Sequence, residues 1–310
     1  MRTRIAAALG MVYVVWGSTY LAIAVADRTL PPLLMLAVRF GLAGGLLYGW
    51  SLWRGDVAAA RPGRREWAAA AIVGGLLLFV ETGAVAWAEQ RVASGLTALL
   101  VASVPLFTAL LDRTIFGVRL SLGALAGIAS GLLGVAVLAG PSAHIDPVGA
   151  AVLLGGALAW AAGSAYARVA PLPRAPFLST AMQMLCGAAL LGVAGAATGE
   201  VEQVHPGAIS TGSLVAFGYL VVVGSIGAYT AYGWLLRSSA PSVLVSTYAY
   251  VNPAFAVLLG WLFAGEAVGG RELAAGAIIL ASVGMLVLAR PARERGRRVP
   301  GLAALRRIVP

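Results

Sequence analysis

The segment from Val101 to Phe107 reads VASVPLF, and the segment from Ala249 to Phe255 reads AYVNPAF. Each follows a run of small apolar residues and leads into another apolar run. Their prolines, Pro105 and Pro253, are 148 positions apart. Two similar segments at such a distance indicate that the chain contains an internal repeat.

Two pairs of tryptophans repeat at nearly the same distance. Trp160 follows Trp16 by 144 residues, and Trp234 follows Trp87 by 147 residues. Each copy contains five apolar segments of membrane-spanning length. Because five is odd, the second copy must cross the membrane in the opposite direction to the first. The pattern therefore predicts an all-α integral membrane protein with ten transmembrane helices arranged as two inverted five-helix repeats, an architecture typical of secondary transporters.

The composition excludes a sizeable soluble domain. The chain has 310 residues, of which 60% are hydrophobic and 11% are charged, whereas soluble domains are about a quarter charged. Every basic residue is an arginine, and the arginines lie between and after the apolar segments, which indicates topology signals rather than a nucleic-acid surface. The single cysteine, Cys186, rules out a disulfide within the chain and a cysteine metal cluster. We expect neither a metal nor another cofactor.

Segments long enough to cross a bilayer, which needs about 20 residues per helix, occur along the whole chain. They fall at 5–26, 32–53, 66–88, 92–111, 120–139, 147–167, 176–197, 211–236, 241–263 and 272–289. This division predicts a first repeat over 5–140, a second repeat over 147–289 and a basic cytoplasmic tail over 290–310.

The distribution of arginine predicts the orientation of these spans. With the N-terminus in the cytoplasm, eighteen of the 22 arginines lie in inner segments and three, Arg28, Arg91 and Arg271, lie in outer ones. The remaining one, Arg39, is inside a span. Such a bias places both termini in the cytoplasm, and we expect a multi-pass protein of the inner, or plasma, membrane.

Two charged residues are predicted at membrane depth. At 1.5 Å per residue, Arg39 lies about 10 Å below the outer end of the second span and Glu81 about 12 Å below that of the third. A charge at this depth is costly unless it is paired or faces water. Two interpretations remain open: both side chains face a central cavity, or a buried ion pair fixes the two spans. If a proton gradient drives transport, Glu81 is the candidate proton carrier.

Further polar and aromatic residues share helical faces at i, i+4 spacing. They are Trp16 and Tyr20 in the first span, Trp160 in the sixth, Ser225 and Tyr229 in the eighth, and Tyr248 and Asn252 in the ninth. Gln183 stands 144 residues after Arg39. We expect these residues, with Arg39 and Glu81, to line an aromatic-walled substrate cavity. A second interpretation stays open: the same pattern arises when polar residues form hydrogen bonds between helices and aromatic residues lie in belts at the membrane interfaces.

Prolines and glycines indicate how the helices bend and pack. Pro105 and Pro253 should kink the fourth and ninth spans, because proline removes a backbone donor. These kinks either belong to the transport site or are tolerated by neighbouring helices. Gly123, Gly127 and Gly131 recur every four residues and make a smooth face. That face packs either within the bundle or in a dimer, so a monomer and a homodimer both remain possible.

Several motifs resemble one family of membrane proteins. They are WGSTYLAI from Trp16, PPLLM from Pro31, WAEQ from Trp87, SGLTALLVASVPL from Ser94 and YAYVNP from Tyr248. They resemble the EamA family of bacterial inner-membrane exporters, in the drug/metabolite transporter superfamily, over residues 8 to 290. The resemblance implies two inverted repeats, a central cavity and alternating access, with export of small metabolites, amino acids or drugs. Glu81-Thr82-Gly83 departs from the Gly-Asn-Gly that is frequent in the family.

Two alternatives to an exporter are compatible with ten membrane-spanning helices. A flippase of lipids or lipid-linked sugars has the same architecture. An integral membrane enzyme is the alternative from another class, but both histidines, His144 and His205, fall in outer loops, and no His-Glu-x-x-His motif is present. We therefore expect a protein that is not an enzyme and whose partners are a small-molecule substrate and the bilayer.

Overall fold

A computed structural model describes residues 2–88, 94–140, 146–264 and 269–289, and the predicted tail over 290–310 lies outside these ranges. The described residues form helices and no strands. Ten helices are long and apolar enough to cross a membrane, which confirms the predicted fold class. They are α1 (Thr3–Ala26), α2 (Pro32–Trp53), α3 (Arg64–Ala88), α4 (Thr97–Ile115), α5 (Leu122–Ala139), α6 (Pro147–Ala167), α7 (Pro176–Ala197), α8 (Thr211–Leu236), α9 (Ser242–Leu259) and α10 (Gly270–Leu288).

Local sequence sets where several of these helices begin and end. The side chains of Ser121, Asp146 and Ser210 accept hydrogen bonds from the first free backbone N–H groups of α5, α6 and α8, as helix N-caps do. Gly140 ends α5 at a φ of 77°, a conformation that glycine adopts without steric cost. The spans are therefore delimited by ordinary capping chemistry between apolar runs.

The two repeats pack against each other in a reciprocal way. Helix α2 lies along α7, and α5 lies along α10, so equivalent helices of the two repeats meet. Helix α1 of the first repeat packs on α8 and α9, and its counterpart α6 packs on α3 and α4. This exchange is the arrangement expected of two halves related by a pseudo-two-fold axis.

The glycine face of α5 packs inside the bundle. A Cβ atom added to Gly127 would lie 2.7 Å from Leu286 Cγ, and one added to Gly131 would meet the Tyr250 ring. Both partners belong to the second repeat, in α10 and α9. Within the described residues these glycines thus allow close helix contact in one chain, and the oligomeric state stays a prediction.

Helices α3 and α8 each contain a stretch of π-helix, over Gly75–Glu81 and Leu220–Tyr229. The offset of 147 residues between Trp87 and Trp234 carries 75–81 onto 222–228, which lies within the second stretch. A π-helical turn changes which side chains face a given direction and is frequent at functional sites. The two stretches end at Glu81 and Tyr229, and both of these residues line the cavity described below.

The two repeat prolines act differently. Helix α4 is interrupted between the helical segments Ser94–Val101 and Val104–Ile115, so Pro105 lies in the first turn of the second segment, where its missing N–H is not needed. Pro253 lies inside the continuous segment Tyr248–Ala264. The predicted kink is therefore an interruption in α4, whereas the surrounding helix accommodates Pro253.

Helix α9 is interrupted before its proline, at Ser246 and Thr247. The hydroxyl groups of Ser246 and Thr247 donate to backbone carbonyls three residues earlier. Ser103 does the same at the interruption of α4. These hydroxyls add hydrogen bonds to backbone carbonyls at the two places where the regular helical pattern is interrupted.

Candidate functional site: a central cavity

A cavity of about 640 Å³ lies between α1–α6, α8 and α9. We call it the central cavity; its polar and aromatic lining consists of Trp16, Thr19, Asp27, Arg39, Glu81, Thr82, Thr97, Trp160, Tyr229, Tyr248 and Asn252. Asp27 and Ala139 line it at the ends of α1 and α5 that lie opposite the face where α1 begins. Among the described residues, its mouth therefore lies toward the face opposite the N-terminus. The volume falls in the range of about 300–1,000 Å³ that is usual for small-molecule sites.

An aromatic cluster forms the floor of the central cavity. The ring centroids of Trp16 and Trp160 are 5.6 Å apart, and Trp16 lies 4.9 Å from both Tyr229 and Tyr248. Trp160 and Tyr232 are linked by a hydrogen bond of 2.8 Å from the indole nitrogen to the phenol. These edge-to-face contacts hold rigid rings in place. The floor thus combines the repeated tryptophans with tyrosines of the second repeat.

A second layer closes the bundle between this floor and the N-terminal face. Arg168, at the end of α6, forms an ion pair with Asp112, at the end of α4. The Arg168 guanidinium also lies 4.4 Å from the centroid of the Phe116 ring. Asp112 is buried, with 5% of its surface exposed, whereas the Arg168 side chain is 27% exposed, so the pair joins the two repeats at a partly shielded position. These contacts link the two repeats on the side of the aromatic floor that lies toward the N-terminal face.

Arg39 lies at the wall of the cavity and is 4% exposed. Its Nε–H donates to the Ser225 hydroxyl at 2.8 Å, and its guanidinium lies 5.0 Å from the centroid of the Phe40 ring. Ser225 is fully buried behind Arg39 and does not line the cavity. Of the two interpretations of the sequence, the buried ion pair is absent among the described residues, where Arg39 binds Ser225 of α8 and forms no ion pair with Glu81.

Glu81 lines the central cavity at the end of the π-helical stretch of α3. Its carboxylate accepts a hydrogen bond of 3.2 Å from the Thr82 hydroxyl. A Cβ atom on Gly156 of α6 would lie 3.4 Å from the Glu81 Cα, so the two backbones approach closely there. The acid therefore belongs to a helix that is packed tightly against the second repeat.

Two polar atoms in the wall have no hydrogen-bond partner among the described residues. They are Thr97 Oγ1 on α4 and Asn252 Oδ1 on α9. Thr97 is 2% and Asn252 4% exposed. A buried polar atom without a partner costs about 1–3 kcal/mol. Both residues line the central cavity, and nothing in the sequence pattern had pointed to Thr97.

Asp27 was also missed, because it follows α1 and looks like an ordinary loop acid. It lines the mouth of the cavity. The pKa of Asp27 is raised to about 6, mainly by partial burial and next by repulsion from Glu200. The positive charge of Arg39 lowers it by a smaller amount. Glu200 itself accepts hydrogen bonds from the backbone N–H groups of Leu33 and Leu34 and so caps α2.

The structure brings together most of the residues that the sequence analysis proposed. Those that line the central cavity are Trp16, Arg39, Glu81, Trp160, Tyr229, Tyr248, Asn252 and Pro253. Ser225 lies behind the wall, Pro105 lies outside the lining, and Gln183 lines a different pocket. The side chain of Tyr20 lies outside the described residues. In the described ranges, no three His, Cys, Asp or Glu side chains are arranged to hold a metal ion.

Comparison with solved structures supports the fold. A crystal structure described only as a protein superposes with a TM-score of 0.75, over 94% of this chain and 99% of that chain, at 22% sequence identity. At this identity the likeness concerns the fold alone.

Two relatives carry information on function. The uncharacterized inner membrane transporter YedA of Escherichia coli K12 is 41% identical over 279 residues, which cover 89% of this chain and 88% of the relative. A probable terminal-alkyne amino-acid exporter of Streptantibioticus cattleyicolor is 26% identical and covers 86% of this chain and 92% of the relative. Both relatives are membrane transporters by description.

The sequence profile of the EamA-like transporter family matches this chain twice, over residues 4–140 and 147–288. The two matches coincide with the two halves of the bundle that enclose the central cavity. Together with the ten apolar helices, they identify a multi-pass transporter of the inner membrane. The chain belongs to the EamA-like transporter family.

Proposed function

We propose that the protein exports small zwitterionic molecules such as amino acids across the bacterial inner membrane by alternating access. The observation that carries the proposal is the central cavity, which is open at one face, ends on an aromatic floor and contains charges of both signs. A relative described as a probable amino-acid exporter supports this substrate class.

The proposed orientation has both termini in the cytoplasm. The central cavity opens at the face opposite the N-terminus, so in this orientation the described conformation faces outward. The bias of arginine toward the N-terminal face supports it. The basic tail over 290–310 is then cytoplasmic.

The substrate contacts follow from the chemistry of the wall. Arg39 suits a carboxylate, because a guanidinium offers paired donors to two oxygens. Glu81 and the faces of Trp16 and Trp160 suit an ammonium group, since both a carboxylate and an aromatic ring attract a cation. Asn252 contributes an acceptor at the same depth. These groups together select a molecule that carries both charges within a short distance.

Transport into everted inner-membrane vesicles tests the proposal, because uptake by such vesicles corresponds to export. A panel of radiolabelled amino acids should include at least one that vesicles with the protein accumulate and vesicles without it do not. Arg39→Gln should abolish accumulation. Arg28→Gln, which changes an exposed arginine outside the spans, is the matched control and should retain it.

The alternatives make different predictions for the same vesicles. If no amino acid is accumulated but fluorescent phospholipids change leaflet in a protein-dependent way, a flippase replaces the exporter. If Arg39→Gln and Arg28→Gln transport equally well, Arg39 does not bind the carboxylate.

The proposed driving force is the proton gradient. Two acids, Glu81 and Asp27, line the cavity through which a proton would pass. A protonophore should therefore stop accumulation in vesicles energised by respiration. Accumulation that continues after the gradient has collapsed would exclude this coupling and leave the transport assignment intact.

A further inference from the structure

A second pocket lies on the N-terminal side of the aromatic floor, between α7 and α8. We call it the α7–α8 pocket; its polar lining consists of Arg174, Ser179, Thr180, Gln183, Tyr229 and Arg237. Its volume is about 90 Å³, room for on the order of six water molecules at ~15 Å³ each. It contains Gln183, the one predicted site residue that the structure assigns to a different pocket from the rest.

The internal repeat relates this pocket to the central cavity. The offset of 144 residues that joins Trp16 to Trp160 carries Arg39 onto Gln183 and Ile23 onto Ala167. Arg39 and Ile23 line the central cavity, whereas Gln183 and Ala167 line the α7–α8 pocket. Equivalent positions of the two repeats thus line two pockets that lie toward opposite faces.

The third helix of each repeat gives the same relation. The offset of 147 residues carries Thr82 onto Tyr229 and Val85 onto Tyr232. Thr82 and Val85 line the central cavity, and Tyr229 and Tyr232 line the α7–α8 pocket. Tyr229 lines both pockets. The smaller pocket is therefore a contracted image of the larger one under the pseudo-two-fold axis.

The charges at the mouth of the α7–α8 pocket are positive. Arg237, just after α8, donates to the Pro173 carbonyl at 2.7 Å and to the Leu172 carbonyl, which fixes it at the rim. Arg174 is exposed beside it, and partial burial together with the charge of Arg174 lowers the pKa of Arg237. Among the described residues, no carboxylate lines this pocket. Two guanidinium groups without a carboxylate attract an anion.

We propose that the α7–α8 pocket is the cytoplasmic vestibule of the transporter and that Arg174 and Arg237 capture the anionic group of the substrate there before it reaches Gln183. The proposal rests on the proposed function for the identity of the ligand, a transported molecule with a carboxylate. The hydroxyl groups of Ser179 and Thr180 and the Gln183 amide, which is held by hydrogen bonds to Ser179, provide the polar wall. Tyr229 is the partition that moves when the cavity changes face.

Charge-selective labelling of a cysteine at the pocket wall tests this proposal without a known substrate. In a Cys186→Ser background, Gln183→Cys is treated with two membrane-impermeant methanethiosulfonates, the anionic sulfonatoethyl and the cationic trimethylammonioethyl reagent. Rates are normalised to those with free cysteine. The reaction should occur from the cytoplasmic face only, in everted vesicles and not in intact spheroplasts. The anionic reagent should react faster by at least about fivefold, because a positive mouth raises the rate for anions.

Matched variants separate this result from general reactivity. Met182→Cys, one residue away and fully buried outside the pocket, should stay unlabelled. Arg174→Gln should remove the preference for the anionic reagent, and Arg174→Lys should keep it. If Gln183→Cys does not accumulate in the membrane, Ser179→Cys takes its place on the same wall.

Several outcomes would overturn the proposal. They are labelling from the outer face only, equal normalised rates for the two reagents, and an anionic preference that survives Arg174→Gln. Reconstitution distinguishes the source of the anion: if phosphatidylglycerol slows both reagents relative to pure phosphatidylcholine vesicles, the pocket holds a lipid headgroup instead of substrate, whereas repulsion by the anionic surface would slow only the anionic one. Because labelling needs no transport, these results are independent of whether the exporter assignment holds.

Discussion

The hydrogen bond between Arg39 and Ser225 allows a quantitative prediction. Ser225→Ala removes the acceptor of the Arg39 Nε–H, which lies 2.8 Å away. Ser225 is 0% and Arg39 4% exposed, so water does not readily replace the lost hydroxyl. A hydrogen bond to a charged group contributes about 1.5–3 kcal/mol.

This energy should appear as weaker substrate binding. Without the Ser225 hydroxyl, the Arg39 guanidinium can adopt several orientations. Binding of the substrate carboxylate must then fix one orientation, which makes the free energy of binding less favourable. At 1.4 kcal/mol per factor of ten, the full contribution corresponds to a rise in KM of about 10- to 100-fold. We expect about tenfold, since the side chain stays confined by its packing.

The assay is the concentration dependence of amino-acid uptake into everted vesicles, with the amount of folded protein measured in parallel. Ser213→Ala is the matched control, because Ser213 is also fully buried on α8 but donates to the Val25 carbonyl away from the cavity. It should change stability and leave KM unaltered. An unchanged KM in Ser225→Ala, or an equal rise in both variants, would refute the reasoning.

Three further predictions concern packing, protonation and closure. Gly74→Ala places a Cβ atom against the Gln183 carbonyl oxygen and should destabilise the protein by about 1–3 kcal/mol in a thermal unfolding assay. Gly75→Ala, whose nearest contact is 3.4 Å away, should not. Asp27 has a pKa of about 6 in the folded state, against 3.8 for an ordinary carboxyl group. The folded state therefore binds more protons than the unfolded state between about pH 4 and 6, so the melting temperature should fall as the pH rises through this range. Asp27→Asn should reduce that fall. Asp112→Asn removes the ion pair with Arg168 near the N-terminal face and should increase labelling of cavity cysteines from that face. Unchanged labelling would exclude a role of the ion pair in closing the cavity.

The spans were predictable because a bilayer imposes a simple rule on the sequence. Apolar length, interrupted by Pro, Gly and Arg, determines where helices such as α2, α6, α7 and α8 lie. The floor of the cavity was predictable for a related reason. Trp16 and Trp160 stand at equivalent positions of the two repeats, and an inverted repeat brings equivalent mid-span positions together near its axis.

The remaining features depend on the register between distant helices. The two π-helical stretches end at Glu81 and Tyr229, and the apolar periodicity of the sequence does not reveal them. Arg39 binds Ser225 instead of Glu81 because α8 is its neighbour in space. Thr97 lines the central cavity because of the helices that face it, and the sequence around this small hydroxyl residue does not show which helices those are.

The separation of Gln183 from Arg39 has a different cause. The sequence relates the two positions by the repeat but does not reveal that the axis directs them toward opposite faces. A single conformation opens one pocket and contracts the other, so the sequence alone could not divide the predicted residues between the central cavity and the α7–α8 pocket.

The most direct test of the account is substrate protection of a cysteine in the central cavity. In a Cys186→Ser background, Thr97→Cys is labelled with a membrane-impermeant thiol reagent, and Thr108→Cys on the same helix, outside the central cavity, is the control. The account predicts that Thr97→Cys reacts from the outer face and that a transported amino acid slows this reaction, whereas Thr108→Cys does not respond. Labelling of Thr97→Cys at the same rate with and without that amino acid would contradict the claim that the central cavity binds the exported molecule.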